Sequence, residues 1–265
     1  MAGTFSTSDR LGIVTGLAAE ARAIGSASRM STSLSAANPT RAADAARKLI
    51  ADGATLLASV GLAAGLDPRH APGTIIIADR VIAWTGALPT PGQRPALKRL
   101  NRMIRADPSA AKTDATTDPL DEFSRFSVAP RLTAALAENL GGAAKVATLV
   151  GLNEAVTSPD VKLALMTQVG AAAADMETHI VAQVAEQAGV PWFAVRIVAD
   201  PSNRRVPPAA LAALGVAGEV SVSRVLRALA RRPGDLPDLL SLALDTAQAM
   251  RQLKRAGRVL CAEFS

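Results

Sequence analysis

Apolar residues in this chain fall in short unbroken runs, separated by longer stretches where they recur every three or four positions. The runs at Leu11–Thr15, Thr55–Val60, Thr74–Ala83, Val146–Leu152 and Trp192–Val198 predict strands. Their near-continuous hydrophobicity suits strands covered on both faces. Helical periodicity predicts helices over Thr40–Ala51, Arg131–Asn139, Asp160–Gln168 and Met176–Ala188. Strand and helix therefore alternate, which predicts an α/β fold with a mainly parallel sheet. No internal repeat is visible.

Two regions break the rhythm. Residues Pro89–Phe126 are rich in Pro, Asp, Thr and Arg and only weakly periodic, the pattern of a lid or binding loop or else of a disordered segment. From Pro207 to about residue 256 the pattern is helical, broken at Arg231-Arg232-Pro233-Gly234. Leu236, Leu239, Leu240, Leu242, Leu244 and Leu253 form a stripe expected to dock on the core rather than enter a membrane.

Composition narrows the classes. Hydrophobic residues make up 49% and charged residues 20%, as in a soluble globular protein. Aromatic residues are only 3% and Tyr is absent, so any pocket should be lined by aliphatic groups. Cys261 is the sole cysteine, which excludes an intramolecular disulfide and fits a cytoplasmic setting. His70 and His179 lack neighbours at zinc-binding spacing, so no metal is expected. The first ten residues lack a signal-peptide pattern, and no apolar run is long enough to span a bilayer. Net charge is +6; from Pro201 onward ten Lys/Arg face five Asp/Glu, so that quarter holds +5 of it. A basic face without interleaved aromatics argues against nucleic acid and for a solvated surface.

Four short segments carry side chains suited to chemistry. A strand ends at Gly16 and Glu20 follows in the first turn of a helix, where a carboxylate either complements the helix dipole or faces a site. Ser59-Val-Gly61-Leu62-Ala63-Ala-Gly65 reads as a glycine-spaced turn whose backbone N–H groups could approach a sugar, phosphate or water. Its spacing matches neither the dinucleotide nor the P-loop motif. Ala174-Asp175-Met176-Glu177 opens a helix, with its acids serving either the helix N-terminus or vicinal hydroxyls of a ligand. The strand from Trp192 delivers Asp200 to its C-terminal end, the edge where open α/β sheets bind ligands. Pro201 keeps Asp200 out of helical geometry, and the residue is either a turn aspartate or a site acid.

In this order and at these separations the segments resemble the nucleoside phosphorylase and nucleosidase family. The resemblance runs from about Gly12 to Asn203 and rests most on Met176-Glu177, Gly189-Val-Pro191 and Arg196…Asp200. Ala-Asp-Met-Glu, Asp200-Pro201 and the leucine-rich tail are most similar to the hopanoid-associated phosphorylase branch, taken to remove adenine from adenosylhopane. The resemblance implies one three-layer domain over 1–265, with a mixed, mainly parallel sheet between helices, assembled as a homo-oligomer. It implies that Asp200 protonates the purine leaving group and that Glu177 holds the ribose hydroxyls. Met176 would pack on the ribose, Glu20 would orient or deprotonate water, and Gly61, Leu62 and Ala63 would line the substrate.

Departures from the family pattern bear on the acceptor. Ser59 and Leu62 stand where phosphorylases hold phosphate, so that site looks incomplete, although Arg22 or Arg41 could supply a cation. No cofactor is implied, and inorganic phosphate is the alternative to water. Few residues separate Glu20 from the Thr40 helix, so a hairpin common in the family is expected to be reduced. Three readings follow: adenine release from adenosylhopane by a peripherally membrane-associated enzyme, the same chemistry on methylthioadenosine or S-adenosylhomocysteine, or a non-catalytic nucleoside-binding protein. Asp200→Asn is expected to lower turnover by orders of magnitude with little change in folding.

Overall fold

A computed structural model describes residues 5–84, 86–89, 124–208, 210 and 222–265. The strands are β1 (Leu11–Thr15), β2 (Met30–Leu34), β3 (Leu56–Gly65), β4 (Ile75–Trp84), β5 (Ser124–Ser127), β6 (Ala144–Leu152), β7 (Ala173–Asp175) and β8 (Trp192–Asp200). The helices are α1 (Ala18–Ile24), α2 (Pro39–Ala51), α3 (Pro130–Leu140), α4 (Pro159–Val169), α5 (Thr178–Gln187), α6 (Val222–Arg231) and α7 (Leu236–Glu263). They form one α/β domain whose central sheet is flanked by helices.

The sheet runs β2-β1-β3-β7-β6-β4-β5, and β8 bridges β3 and β4. Five strands therefore close a ring: β3, β8, β4, β6, β7 and back to β3. Five strand pairs are parallel and three antiparallel, which makes the sheet mixed but mainly parallel. The expected strands are all present; β1, β3, β4 and β8 are buried along most of their length, whereas β6 is buried only from Leu149 to Leu152 and its Val146 is exposed. Ile75, Ile76 and Ile77, Leu57, Phe193 and Val195 are fully buried. Each such side chain contributes about 1.5–3 kcal/mol by leaving water.

Local chemistry sets the helix starts. Pro39, Pro130 and Pro159 occupy first-turn positions that need no N–H donor, and the Asn38 side chain caps α2 by accepting from the Arg41 N–H. The α7 half that follows Ala249 packs on α1 and β8 through Leu253, Ala256 and Leu260. Gly257 allows this approach: a Cβ there would lie 2.3 Å from the Ile24 carbonyl oxygen.

Several expectations are corrected. The anticipated turn at Ser59–Gly65 is the second half of β3, because this stretch stays paired with β8 through a register shift at Ala63/Ala64. By contrast, the reduced hairpin agrees with expectation: the region between Glu20 and α2 holds a single strand, β2, parallel to β1. The leucine stripe divides: Leu253 is buried, whereas Leu236, Leu240 and Leu244 are exposed at 45%, 58% and 72%, because only the C-terminal half of α7 meets the core. Most of the expected lid lies outside the described residues, and its end, Ser124–Phe126, belongs to β5.

Candidate active site

The C-terminal ends of β1, β3, β7 and β8 converge on a cavity of about 230 Å³. Glu20, Leu62, Ala63, Met176, Glu177 and Asp200 all line it. Gly61 lies just behind the wall, where a Cβ would come within 2.8 Å of Arg196 Nη1 and 3.1 Å of Glu20 Oε2. A side chain at that position would force apart the guanidinium and the carboxylate. Leu17, Leu152, Val156 and Val206 complete an aliphatic lining, as the Tyr-free composition anticipated.

Glu20 caps its own helix and faces the cavity, so its two readings are compatible. Its Oε2 accepts hydrogen bonds from the Thr15 hydroxyl and the Leu17 N–H, both at 2.9 Å, and its Oε1 accepts from the Leu62 N–H at 2.9 Å. Three donors from two strands and a helix entry fix its orientation. Arg22 and Arg41 are exposed and are not among the residues lining the cavity.

Arg196 is the electrostatic centre. It is fully buried in a strand whose only other charged residue is the terminal Asp200, which costs free energy unless the charge is paired and hydrogen-bonded. Its Nη2 lies 2.6 Å from Asp175 Oδ2 and 3.2 Å from Glu177 Oε2, and it donates to the Ser59 hydroxyl at 2.6 Å. Its Nε donates to the Thr178 hydroxyl at 3.0 Å and its Nη1 to the Leu62 carbonyl at 3.3 Å. Ser59 is thus occupied by the guanidinium. Asp175 Oδ2 also accepts from the backbone N–H groups of Glu177 and Thr178, at 3.0 and 2.8 Å, and so holds the start of α5.

Glu177 is buried between Arg196 and other acids. Burial pushes its carboxyl up to about 7; Arg196 pulls it down, while Asp175 and Glu20 add to the rise. Ser35 donates to its Oε1 at 3.3 Å. Glu177 therefore exchanges a proton near neutral pH, where its hydrogen-bonding character changes from acceptor to partial donor.

Asp200 ends β8 and is 7% exposed. Burial raises its carboxyl above the usual carboxylate range, opposed first by Lys162. Lys162 is wholly buried in α4; its Nζ donates to Asp200 Oδ2, to the Pro201 carbonyl at 2.9 Å and to the Arg204 carbonyl at 3.1 Å. Asp200→Asn would leave this ammonium group without its counter-charge, so the expectation of unchanged folding does not survive the geometry.

Residues 9–231 match the phosphorylase superfamily. The chain belongs to that superfamily. Over 163 residues it is 29% identical to the 5'-methylthioadenosine/S-adenosylhomocysteine nucleosidases of Mycobacterium bovis and Mycobacterium tuberculosis, a match covering 57% of this chain and 62% of the relative. The chain thus spans about six-tenths of the length of those curated relatives. The structure superposes on futalosine hydrolase of Helicobacter pylori with a TM-score of 0.62 at 14% identity, covering 96% of this chain and 98% of the other. It also superposes on 5'-methylthioadenosine/S-adenosylhomocysteine nucleosidase of the same organism, complexed with a substituted pyrrolidin-3-ol, with a TM-score of 0.60 at 14% identity, covering 96% and 97%. The fold is shared with both.

Within this superfamily member, the site residues read from the sequence gather around one cavity, but two charged groups that organise them carried no role in that reading. Arg196 could have been flagged as a charge inside the buried run Trp192–Val198. Lys162 could have been flagged by its spacing with Leu165 and Val169, which places it on the buried side of α4.

Proposed function

We propose that this protein is a hydrolase that releases adenine from a small 5'-substituted nucleoside of the methylthioadenosine or S-adenosylhomocysteine type. The observation that carries the reading is the convergence of Asp200, Glu177 and Glu20 on one aliphatic cavity, with the nucleosidase relatives as support. Asp200 donates a proton to a ring nitrogen of the base, the bond from that base to C1' breaks, and its electrons leave with the base. Glu177 accepts from the ribose 2'- and 3'-hydroxyls and favours the oxocarbenium-like sugar as positive charge develops. Met176 packs against the ribose. Glu20 aligns a water and takes its proton as the new bond to C1' forms, so the products are free adenine and the reducing sugar.

Water rather than phosphate fits the charge distribution. Five carboxyl groups line the cavity, from Glu20, Glu154, Asp175, Glu177 and Asp200, against the single guanidinium of Arg196. That guanidinium already serves Asp175, Glu177, Ser59 and Thr178. A phosphate dianion would meet net negative charge and no uncommitted cation, whereas a cationic transition state would be favoured. Adenine release by the purified protein from methylthioadenosine, S-adenosylhomocysteine and adenosylhopane, each with and without phosphate, tests this. Release from the two small nucleosides, unchanged by phosphate, is expected. Phosphate-dependent release would reinstate the phosphorylase reading, and release from adenosylhopane alone would assign the lipid substrate. Nucleoside binding without release from any of the three would leave a binding protein.

A second reading, peripheral contact with anionic membrane, is favoured by one surface. Leu226, Leu236, Leu240 and Leu244 are exposed on α6 and α7, and Arg227, Arg231 and Arg232 are exposed beside them. No helix among the described residues is long and apolar enough to cross a membrane, so any contact would be interfacial. Cosedimentation with vesicles that rises with anionic lipid content and is lost in Leu240→Ser/Leu244→Ser is the expected signature. Equal sedimentation at all lipid compositions would remove this reading.

A further inference from the structure

A lysine without solvent contact is rare unless its charge is used, because removing an ammonium group from water costs several kcal/mol. Lys162 is such a residue, and it lies in α4, a helix that supplies none of the residues lining the cavity, so it reaches the site only through Asp200. Its Nζ has three donors and three acceptors: Asp200 Oδ2 and the carbonyls of Pro201 and Arg204. The two carbonyls belong to the segment that follows β8, so one ammonium group ties together the acid, the turn after it and α4. Among the described residues Asp200 Oδ1 makes no hydrogen bond, while the residue itself lines the cavity. We propose that Lys162 is a positioning residue for the reaction assigned above: it pins Oδ2, leaves Oδ1 to deliver the proton, and sets the strength of the acid.

The proposal rests on the reading of Asp200 as the proton donor. Electrostatics support it. The groups acting on Asp200 are Lys162 from α4, Arg204 from the following turn and Asp245 from α7; Arg204 and Asp245 are paired with each other, so their opposite effects largely offset. Lys162 is then the dominant counterweight to burial. A buried aspartic acid without it would hold its proton to higher pH and give it up less readily to a weakly basic ring nitrogen.

The test is the pH dependence of kcat/KM for adenine release in Lys162→Met and Lys162→Gln. The alkaline limb of the profile, where Asp200 loses its proton, should move upward by about one pH unit or more, and the maximum should fall at least tenfold. Lys162→Gln, which can still donate to the two carbonyls, should shift the limb as Lys162→Met does. A merely structural lysine would lower the rate at every pH without moving the limb, and that result would overturn the proposal. Denaturant unfolding of Asp200→Asn, Lys162→Met and the double variant supplies a readout independent of activity. Strong coupling between the two positions is expected, including recovery of folding in the double variant if either single variant fails to fold. Additive losses would overturn the proposal. If the wild-type chain released no adenine, the assigned reaction would fall, while the coupling would still report whether Lys162 and Asp200 act as a unit.

Discussion

Asp200→Asn is expected to slow adenine release by about a thousandfold, within the range that general-acid catalysis supplies, and at the same time to destabilise the fold. The two effects have different origins. Asparagine has no proton to give to the leaving base, so the chemical step loses its acid. Folding suffers because Lys162, with no solvent exposure, is left as a buried cation whose remaining partners are neutral carbonyls. Breaking a buried pair in this way costs about 3–5 kcal/mol. Neutralising the lysine as well removes the stranded charge, so Asp200→Asn/Lys162→Met should regain much of the stability of the wild-type chain and none of its activity. Urea unfolding and an adenine-release assay on the wild type, Asp200→Asn, Lys162→Met and the double variant separate the two effects. Wild-type stability in Asp200→Asn would mean that the ammonium group is not held by charge.

The separation of roles explains which parts of this protein the sequence displays. Strands β1, β3, β4 and β8 announce themselves because they are covered along most of their length and therefore read as apolar runs, and β6 does so through its buried half, Leu149–Leu152. Strand β2, Met-Ser-Thr-Ser-Leu, pairs only with β1 and is mostly exposed, so nothing in its side chains marks it. Strand β7 has three residues, too few for any period, yet it closes the ring and delivers Asp175. The glycines of β3 imitate a turn because their spacing is set by what crosses them. Gly61 makes room for Arg196 and Glu20, and a Cβ at Gly65 would come within 2.8 Å of the Asp200 carbonyl oxygen.

The same logic governs the site. Glu20, Glu177 and Asp200 are legible because each sits beside a strand end in a patterned segment. Lys162 lies 38 residues before Asp200 in the interior of a helix, and only the fold brings the two together. The clue to it is negative: a charge where the helix should be apolar. Arg196 gives the same clue inside β8. Buried charges out of pattern are thus the sequence signature of the groups that hold a site, as distinct from those that face it.

Glu177→Gln is expected to make the protein more stable and less active, with the gain in stability appearing only as pH rises. Glutamine reproduces the protonated acid. The wild-type carboxyl titrates near 7 in the folded chain, against an ordinary value of 4.5, so folding takes up a proton between those limits. Stability that is fully present below pH 4.5 is therefore lost as pH rises towards 7, and above 7 the ionised carboxylate carries its whole desolvation and repulsion cost. The variant escapes that loss, which from the size of the rise amounts to at most about 3 kcal/mol. Its Tm should match the wild type near pH 4.5 and exceed it by about 5 °C at pH 8. Adenine release should fall about a hundredfold, because an amide cannot offer the ribose hydroxyls the charged acceptor that strengthens as the cationic sugar forms. A Tm difference that is flat from pH 4.5 to 8 would show that Glu177 does not titrate in this range. A stability gain with unimpaired release would return Glu177 to a structural role beside Arg196, and the ribose would have to be held by another acceptor in the cavity.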